Sequence, residues 1–417
     1  MKKQIFILLL ALFKVAGASE ILSLNDCIQL ALEHNPDLKK SAFQLAQSDI
    51  GLKQAWSALL PNVSASASAS NSGPVVSEPS DSWSRSLGGT VQQSIYAPGL
   101  YSRIDLAGRQ KQFSHYGLLS QKNQVRAAVE KIYYQILISD TLIDVYEANI
   151  GLADEQIFKM RQMVDLGLKR ASDLLKSEVQ RGTFEAQLVR ETESLTSSKR
   201  SLNLLMGRDP DIKFEVIPIA VDQIDVPEFE TAAVMMLNKN PALKQMKLQV
   251  RMEQLSLRIS KEAFLPSLSG SYSYSNRQDA RTGGTTVEND QLSLNVSVDL
   301  FNRFNKLRDV QLNRLALQEV ELDCQTTLRD MQDALLSLYK ALETQNRLIR
   351  IHQTNLESAR QDLKIVSEQY ASGLSSILDL TDAQVSAFES ETSLMEDFYT
   401  RKRIEAEIRQ LIGYQRE

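Results

Sequence analysis

Serine stands at every second position in two stretches of the chain, Asn62-Val-Ser-Ala-Ser-Ala-Ser-Ala-Ser70 and Ser267-Leu-Ser-Gly-Ser-Tyr-Ser-Tyr-Ser275. A period of two is typical of β-strands, whose successive side chains point to opposite faces. Each stretch therefore predicts a strand with one small polar face. Residues 86–96 and 291–301 follow with a similar alternation and predict a second strand in each case. These lengths, about 9–11 residues, are those that a tilted strand needs to cross a bilayer.

The alternation favours a membrane barrel over a soluble β-sandwich. Four strands are few for a sandwich in a chain of 417 residues. Leucine, valine and tyrosine opposed to serine and asparagine suit a wall with lipid on one side and a wet lumen on the other. Three aromatic residues, Tyr96, Phe264 and Phe301, are placed at the same end of the strands, where an interfacial girdle would lie. The residues predicted to face the lumen are Ser64, Ser66, Ser68, Ser269, Ser271, Ser273, Ser293, Asn295 and Ser297.

The chain contains an internal repeat, in which the same motifs occur twice at a spacing of about 205 residues. Asn35-Pro36 recurs as Asn240-Pro241 and Leu60-Pro61 as Leu265-Pro266, while Arg103 recurs as Arg308. Each copy reads as helix, two strands, long helix, turn and helix. The predicted organisation is a signal peptide at 1–18, an N-terminal segment at 19–35, a first repeat at 36–208, a linker at 209–230 and a second repeat at 231–417.

The first residues have the features of an export signal. Lys2 and Lys3 precede a short apolar run, and Ala16-Gly17-Ala18 is typical of a cleavage site. The apolar run is too short to span a bilayer, so we expect cleavage after Ala18 and export through a bacterial inner membrane.

The long helices are predicted to form coiled coils. Apolar residues in 100–166 and 303–371 recur at alternating steps of four and three, and this 3.5-residue period is typical of left-handed coiled-coil packing. The shorter helical segments 36–60 and 173–207, placed end to end, nearly match one long helix in length. Each repeat is therefore expected to form a two-stranded helical rod joined to a β-hairpin.

Closure of the sheet requires an oligomer. Open strand edges do not persist in lipid, so four strands cannot stand alone there. Two chains would give eight strands, whose side chains nearly fill the interior, whereas three chains would give twelve strands and a true lumen. We therefore expect a homotrimer.

The composition excludes several other classes. A net charge of -5 argues against a protein that coats nucleic acid, and two cysteines and three histidines offer no metal-site spacing. The sequence has no Gly-rich phosphate loop, nucleophile elbow or histidine–carboxylate cluster, so we predict no enzyme, no cofactor and no metal. A periplasmic coiled-coil scaffold remains as an alternative of another class.

Taken in order, these motifs resemble the TolC-type outer-membrane factors, the exit ducts of tripartite efflux pumps and type I secretion systems. The resemblance covers the whole mature chain and includes two helix-turn motifs, Gly167-Leu168…Asp173-Leu174 and Tyr370-Ala-Ser-Gly373-Leu374…Asp379-Leu-Thr-Asp382. It implies an α+β membrane protein: a trimeric 12-stranded β-barrel in the outer membrane, with four strands per chain, continued by a 12-helix coiled-coil α-barrel in the periplasm. It also implies that segments 19–35 and 209–230 form a small equatorial belt.

The resemblance also implies partners and site residues. A periplasmic adaptor, the membrane fusion protein, and an inner-membrane transporter would join the homotrimer, with outer-membrane lipid around the barrel and no nucleic acid. The cargo is expected to be small molecules, with type I protein secretion as the alternative. The turn residues expected to dock the adaptor are Gly167, Leu168, Gly373, Leu374 and Ser375.

A periplasmic gate is implied at Asp173, Tyr370, Asp379 and Asp382. In a trimer the last two become six carboxylates around one axis, which would select or bind cations. Helix capping is the competing interpretation of Asp379 and Asp173. Where family members can carry an arginine this chain has Ser375, and we hypothesise that Lys169 and Arg170 replace it.

Overall fold

The computed structural model describes residues 20–71, 83–219, 226–279 and 285–413, so the predicted signal peptide lies outside the described residues. The described residues form six strands and eight helices. In chain order these are β1 Glu20–Leu22, α1 Leu24–His34, α2 Pro36–Ser57, β2 Asn62–Asn71, β3 Trp83–Tyr96, α3 Leu100–Asp165, α4 Ala171–Leu205, β4 Phe214–Val216, α5 Phe229–Lys239, α6 Pro241–Glu262, β5 Ser267–Asp279, β6 Thr286–Ser297, α7 Asn305–Ala371 and α8 Ile377–Ile412.

The chain divides into two compact units, each of which takes a part of both sequence repeats. Among the described residues, one unit contains those up to 39, within 120–240 and from 330 onward, and the other contains those within 40–119 and 241–329. The second unit holds the four long strands. None of the helices described by the structure is long and apolar enough to cross a membrane.

The four long strands form one antiparallel sheet in the order β2-β3-β5-β6. Its register pairs Ser64 with Thr90, Thr90 with Ser273 and Ser273 with Gln291, so all nine residues predicted to face a lumen share one face of the sheet. The opposite face exposes large apolar side chains, namely Val63, Leu87, Val91, Tyr272, Tyr274, Leu292, Leu294 and Val296.

The predicted end of the fourth strand is wrong. Strand β6 covers Thr286–Ser297 rather than 291–301, although the alternation of the sequence continues to residue 300. The pairing explains this, because Ser297 pairs with Ser267, the first residue of β5, and Pro266 just before it has no N–H to donate. Among the described residues, 298–301 therefore have no strand of the same chain to pair with, and Phe301 lies outside the sheet.

The long helices show the predicted periodicity. Helices α3 and α7 have 66 and 67 residues. Along α7 the side chains of Leu335, Leu342, Ile349 and Leu356, seven residues apart, are buried. This spacing is that of a coiled-coil seam, and it confirms the coiled-coil prediction for this helix.

The two Asn-Pro motifs link helix starts to distant helix ends. The Asn35 amide donates to the Leu205 carbonyl at 2.9 Å, and the Asn240 amide donates to the Leu411 carbonyl at 2.7 Å. Just after the first of these helix ends, Gly207 has φ 66°. It approaches the His34 carbonyl so closely that a Cβ at position 207 would lie 2.5 Å from the carbonyl oxygen. The duplicated asparagine and the glycine that follows each helix thus fix the same junction twice.

A small parallel sheet, β1 with β4, was not predicted from the sequence. It is held by Tyr133 of α3, whose hydroxyl donates to the Ile217 carbonyl at 2.7 Å and accepts from the Ile217 N–H at 3.0 Å. Burial raises the pKa of Tyr133 to about 12, so the hydroxyl stays protonated at neutral pH.

Candidate functional site

The two helix-turn motifs, which we call the tips, have the same backbone structure. In tip 1, residues 166–170 between α3 and α4, Gly167 has φ 73° and the Leu168 N–H donates to the Met163 carbonyl at 2.8 Å. In tip 2, residues 372–376 between α7 and α8, Gly373 has φ 77° and the Leu374 N–H donates to the Gln369 carbonyl at 2.8 Å. Both are Schellman motifs, in which glycine adopts the left-handed conformation that other residues avoid.

The tips expose leucine. The exposed fractions are 73% for Leu166, 71% for Leu168 and 81% for Leu374. Directly behind them lies a small apolar cluster whose buried members are Met160, Ile377 and Leu380. The chain thus packs the apolar residues behind the turns and leaves the leucines at the turns uncovered. Ser375 lies beside Leu374 and is partly exposed.

Asp379 closes the N-terminus of α8. Its carboxylate accepts from the Ser376 N–H at 2.8 Å and from the Ser376 hydroxyl at 2.7 Å, while the Asp379 N–H donates to that hydroxyl at 3.2 Å. This is a reciprocal capping box. The hydrogen bonds from Ser376 lower the pKa of Asp379, so its carboxylate is charged at neutral pH. The capping interpretation of Asp379 is therefore confirmed.

Asp382 and Asp173 have different surroundings. Asp382 lies one turn further along α8 and is exposed. Asp173 occupies the first turn of α4, as Asp379 does in α8, but the residue before that helix is Arg170, which makes no side-chain cap. The capping interpretation thus fits Asp379 better than Asp173.

Tyr370 lies between the two tips. Its hydroxyl donates to the Met160 sulfur at 3.5 Å, and the Lys169 ammonium lies 4.2 Å from the centre of its ring. Burial raises the pKa of Tyr370, and the nearby Asp173 charge adds to this shift. The structure thus brings Asp173, Tyr370 and Lys169 together, and the contact from Lys169 is a cation–π interaction. Arg170 is exposed and makes no comparable ring contact in the described part of the chain.

Polar side chains also cross between helices behind the tips. The Gln384 amide of α8 donates to Gln156 of α3 at 2.9 Å. Further along, Gln345 donates to the Asp397 carboxylate at 2.6 Å, and His352 Nδ1 lies 2.6 Å from the other oxygen of that carboxylate. These contacts occupy coiled-coil positions, where buried polar pairs fix the register of helices. No group of three potential metal-ligating side chains occurs among the described residues.

The fold and the tips define a class of protein: an α+β outer-membrane channel subunit that contributes four strands to a barrel and has long coiled-coil helices. The model of the family "Outer membrane efflux protein" matches the chain twice, over residues 27–208 and 233–414, and the chain belongs to this family.

Individual relatives agree with this assignment. The chain is 22% identical to "Outer membrane protein TolC" of Vibrio cholerae serotype O1 over 407 residues, covering 94% of this chain and 90% of the relative. A solved structure of CusC, 15% identical, has a TM-score of 0.85 and covers 97% of this chain and 95% of its own. The Campylobacter jejuni CmeC outer membrane channel, 19% identical, has a TM-score of 0.82, with coverages of 94% and 85%.

These findings confirm the predicted TolC-like fold and the outer-membrane location. The family matches include both tips and most of the described chain, so the assignment does not rest on a single motif. The outer-membrane location leaves no support for the alternative of a periplasmic scaffold.

Proposed function

We propose that this protein is the exit duct of a tripartite efflux system, a homotrimer that passively conducts small molecules from a periplasmic adaptor and an inner-membrane pump to the outside. The observation that carries the proposal is the sheet of four strands with a polar face, an apolar face and two outer edges, β2 and β6. In lipid, the N–H and C=O groups of both edges need partners. Three copies joined edge to edge would supply them and enclose a polar lumen.

Exposed apolar side chains support the same assembly. In the unit that carries the sheet, α3 contacts α2 through the Lys111–Asp49 ion pair at 2.6 Å and α6 through the Ser102–Glu262 hydrogen bond at 2.7 Å. Helices α2 and α7 instead carry uncovered apolar residues, several of them seven apart. This spacing suits coiled-coil packing against another helix, which we assign to the next copy. The residues are Phe43, Ile50 and Trp56 in α2 and Leu307, Leu315 and Leu322 in α7.

We assign the tips to docking. Leucine at a tight turn is a poor choice for a surface that only meets water, and three copies would present six tips. Gly167 and Gly373 set the turn, Leu168 and Leu374 supply the apolar contact and Ser375 lies beside them. The partner we propose is the periplasmic adaptor.

We assign gating to the residues just behind the tips. Asp173, Tyr370 and Lys169 join the two helical hairpins of one chain, so a movement of one hairpin relative to the other would break their contacts. Asp379 and Asp382 would contribute six carboxylates in the trimer, a ring that attracts cations. The capping box is compatible with this ring because it keeps the Asp379 carboxylate charged.

The proposed channel does not chemically alter the molecules that it conducts. Serine, asparagine, threonine and glutamine make up most of the polar face, which can line a wet conduit without a catalytic centre; Arg277 and Asp279 add charge at one end. We therefore propose a channel that is not an enzyme and needs no cofactor.

Deletion of the gene in its native host tests the proposal. For an efflux duct, we expect increased susceptibility to several unrelated small toxic compounds, restored by the wild-type gene. For the alternative, a type I secretion channel, the deletion would leave these susceptibilities unchanged and abolish the export of one protein. Unchanged susceptibility and unchanged secretion would contradict both assignments.

A further inference from the structure

A groove lies beside the end of the sheet, where helices α3, α6 and α7 meet, and encloses about 680 Å³. Its walls combine charged and apolar side chains. Because all of its lining belongs to the unit that carries the strands, the groove has a fixed relation to the sheet. The charged and large apolar residues that line it are Arg103, Leu106, Ile259, Lys306, Asp309 and Leu312.

Cations outnumber acids around this groove. Residues 300–308 contain Arg303, Lys306 and Arg308 and no acidic residue, and Arg103 faces the same groove from α3. Three acidic side chains lie nearby. Asp309 lines the groove and is exposed, and exposed Asp299 lies 3.1 Å from the Lys306 ammonium, while Glu262 is only 22% exposed and accepts hydrogen bonds from Ser102 and Arg258. The Lys306 side chain is only 17% exposed, so its ammonium is held in place at the groove.

Exposed aromatic rings flank the basic residues. Phe301 and Phe304 pack edge to face with ring centres 5.3 Å apart, yet they are 71% and 57% exposed. Leu300 before them is 92% exposed. A soluble surface rarely groups such side chains, whereas the interface between hydrocarbon and lipid headgroups favours them.

The backbone at this point is strained. Arg303 and Phe304 have φ values of 58° and 61°, in the left-handed region that bulky residues avoid. The strained turn lies just before α7, which begins at the groove, and the Phe301 and Phe304 rings at the turn are largely exposed. Strain of this kind is typical of positions that have a function besides folding.

We propose that the groove binds the phosphodiester headgroup of an anionic phospholipid. The apolar face of the sheet ends at Val296, so residues 300–308 follow it where hydrocarbon gives way to headgroups. Lys306 and Arg103 would bind the phosphate as cations. Leu106, Ile259 and Leu312 would contact the glycerol and first methylene groups, with Phe301 and Phe304 beside the acyl chains. Each such cation near an anionic membrane surface strengthens lipid binding severalfold.

Native mass spectrometry of the full-length oligomer tests this site. The protein is released from micelles containing equal amounts of phosphatidylglycerol and phosphatidylcholine, and retained lipids are counted. We expect wild type to retain phosphatidylglycerol preferentially. Each cation removed should weaken this retention about fivefold, so Arg103→Gln with Lys306→Gln should weaken it about 25-fold. The matched control is Arg314→Gln with Lys340→Gln, which removes two exposed cations of α7 that do not line the groove.

The outcomes separate the possible sources of binding. Equal retention by wild type and the double variant, or equal loss in the control, would overturn the proposal. So would displacement of phosphatidylglycerol by millimolar inorganic phosphate, because the groove would then be a general anion site. If the double variant fails to assemble, Arg103→Gln alone decides, since Arg103 is exposed and should weaken retention about fivefold without unfolding.

Discussion

The contact between Lys169 and Tyr370 gives the most specific prediction. We expect Lys169→Ala to raise the single-channel conductance or open probability of the assembled protein. Lys169 belongs to tip 1 and Tyr370 ends α7, so their cation–π contact joins the two hairpins of one chain. If the closed state needs the hairpins together, loss of this contact favours the open state.

The size of the effect follows from the geometry. The ammonium lies 4.2 Å from the ring centre, and the site is partly exposed. A cation–π interaction there is worth about 0.5–1 kcal/mol, or about 1.5–3 kcal/mol for three copies that open together. Such a change shifts the ratio of closed to open channels by about 10-fold to 150-fold.

Planar bilayers provide the assay. Lys169→Ala and the matched control Arg170→Ala remove one positive charge each from adjacent positions, but only Lys169 contacts the ring. We expect the first variant alone to conduct more, and Tyr370→Leu to match it. Unchanged conductance of Lys169→Ala, or an equal increase for Arg170→Ala, would refute the proposed role of this contact.

Three further predictions concern the tips and the small sheet. Leu168→Ser with Leu374→Ser should abolish cross-linking to the adaptor while the amount of outer-membrane oligomer stays normal; retained cross-linking would contradict docking by the tips. The pKa of Asp379 is lowered in the folded chain, so its contribution to tip stability is present above the ordinary carboxyl pKa and is lost as the pH falls through the lower folded value. Limited proteolysis at tip 2 should therefore become faster at such acidic pH. The acceleration should be much smaller in Asp379→Asn, which has no carboxylate to titrate. Tyr133→Phe leaves the Ile217 carbonyl without this donor and should destabilise the β1–β4 sheet by about 0.5–1.5 kcal/mol, measured by faster amide exchange in β4, with normal protection expected if the contact is unimportant.

The sequence predicted the repeated elements well because their periods are strong. Serine at every second position decides the faces of β2 and β5, and the 3.5-residue period decides the long helices. Strand ends depend on pairing rather than on local pattern. The alternation continues from Ser297 to Leu300, yet residues 298–301 have no partner strand in the described part of the chain because β5 begins at Ser267.

The short strands were not predicted from the sequence, because they also depend on contacts with distant residues. Strands β1 and β4 have three residues each and are held by Tyr133 from a distant helix, which no local pattern reports. Helix α1 did carry a usable signal, since Ser23 and Asp26 form a capping box. At the tips, sequence pointed to Lys169 and Arg170 together. Only the structure shows that Lys169, and not Arg170, contacts Tyr370, because the contact depends on the direction of each side chain at the turn.

Paired cysteines test most directly whether three copies close one barrel through β2 and β6. With Cys27 and Cys324 replaced by serine, cysteines are introduced at Ala67 of β2 and at Leu292, Leu294 or Val296 of β6, one pair at a time. Within one chain β3 and β5 separate these strands by about 14 Å, too far for a disulfide. A pair at the aligned residues Ala67 and Leu87 is the intrachain control. After oxidation of the outer-membrane fraction, we predict a covalent species of three chains for at least one β2–β6 pair. Only monomers from every β2–β6 pair, while the control oxidises, would contradict the barrel.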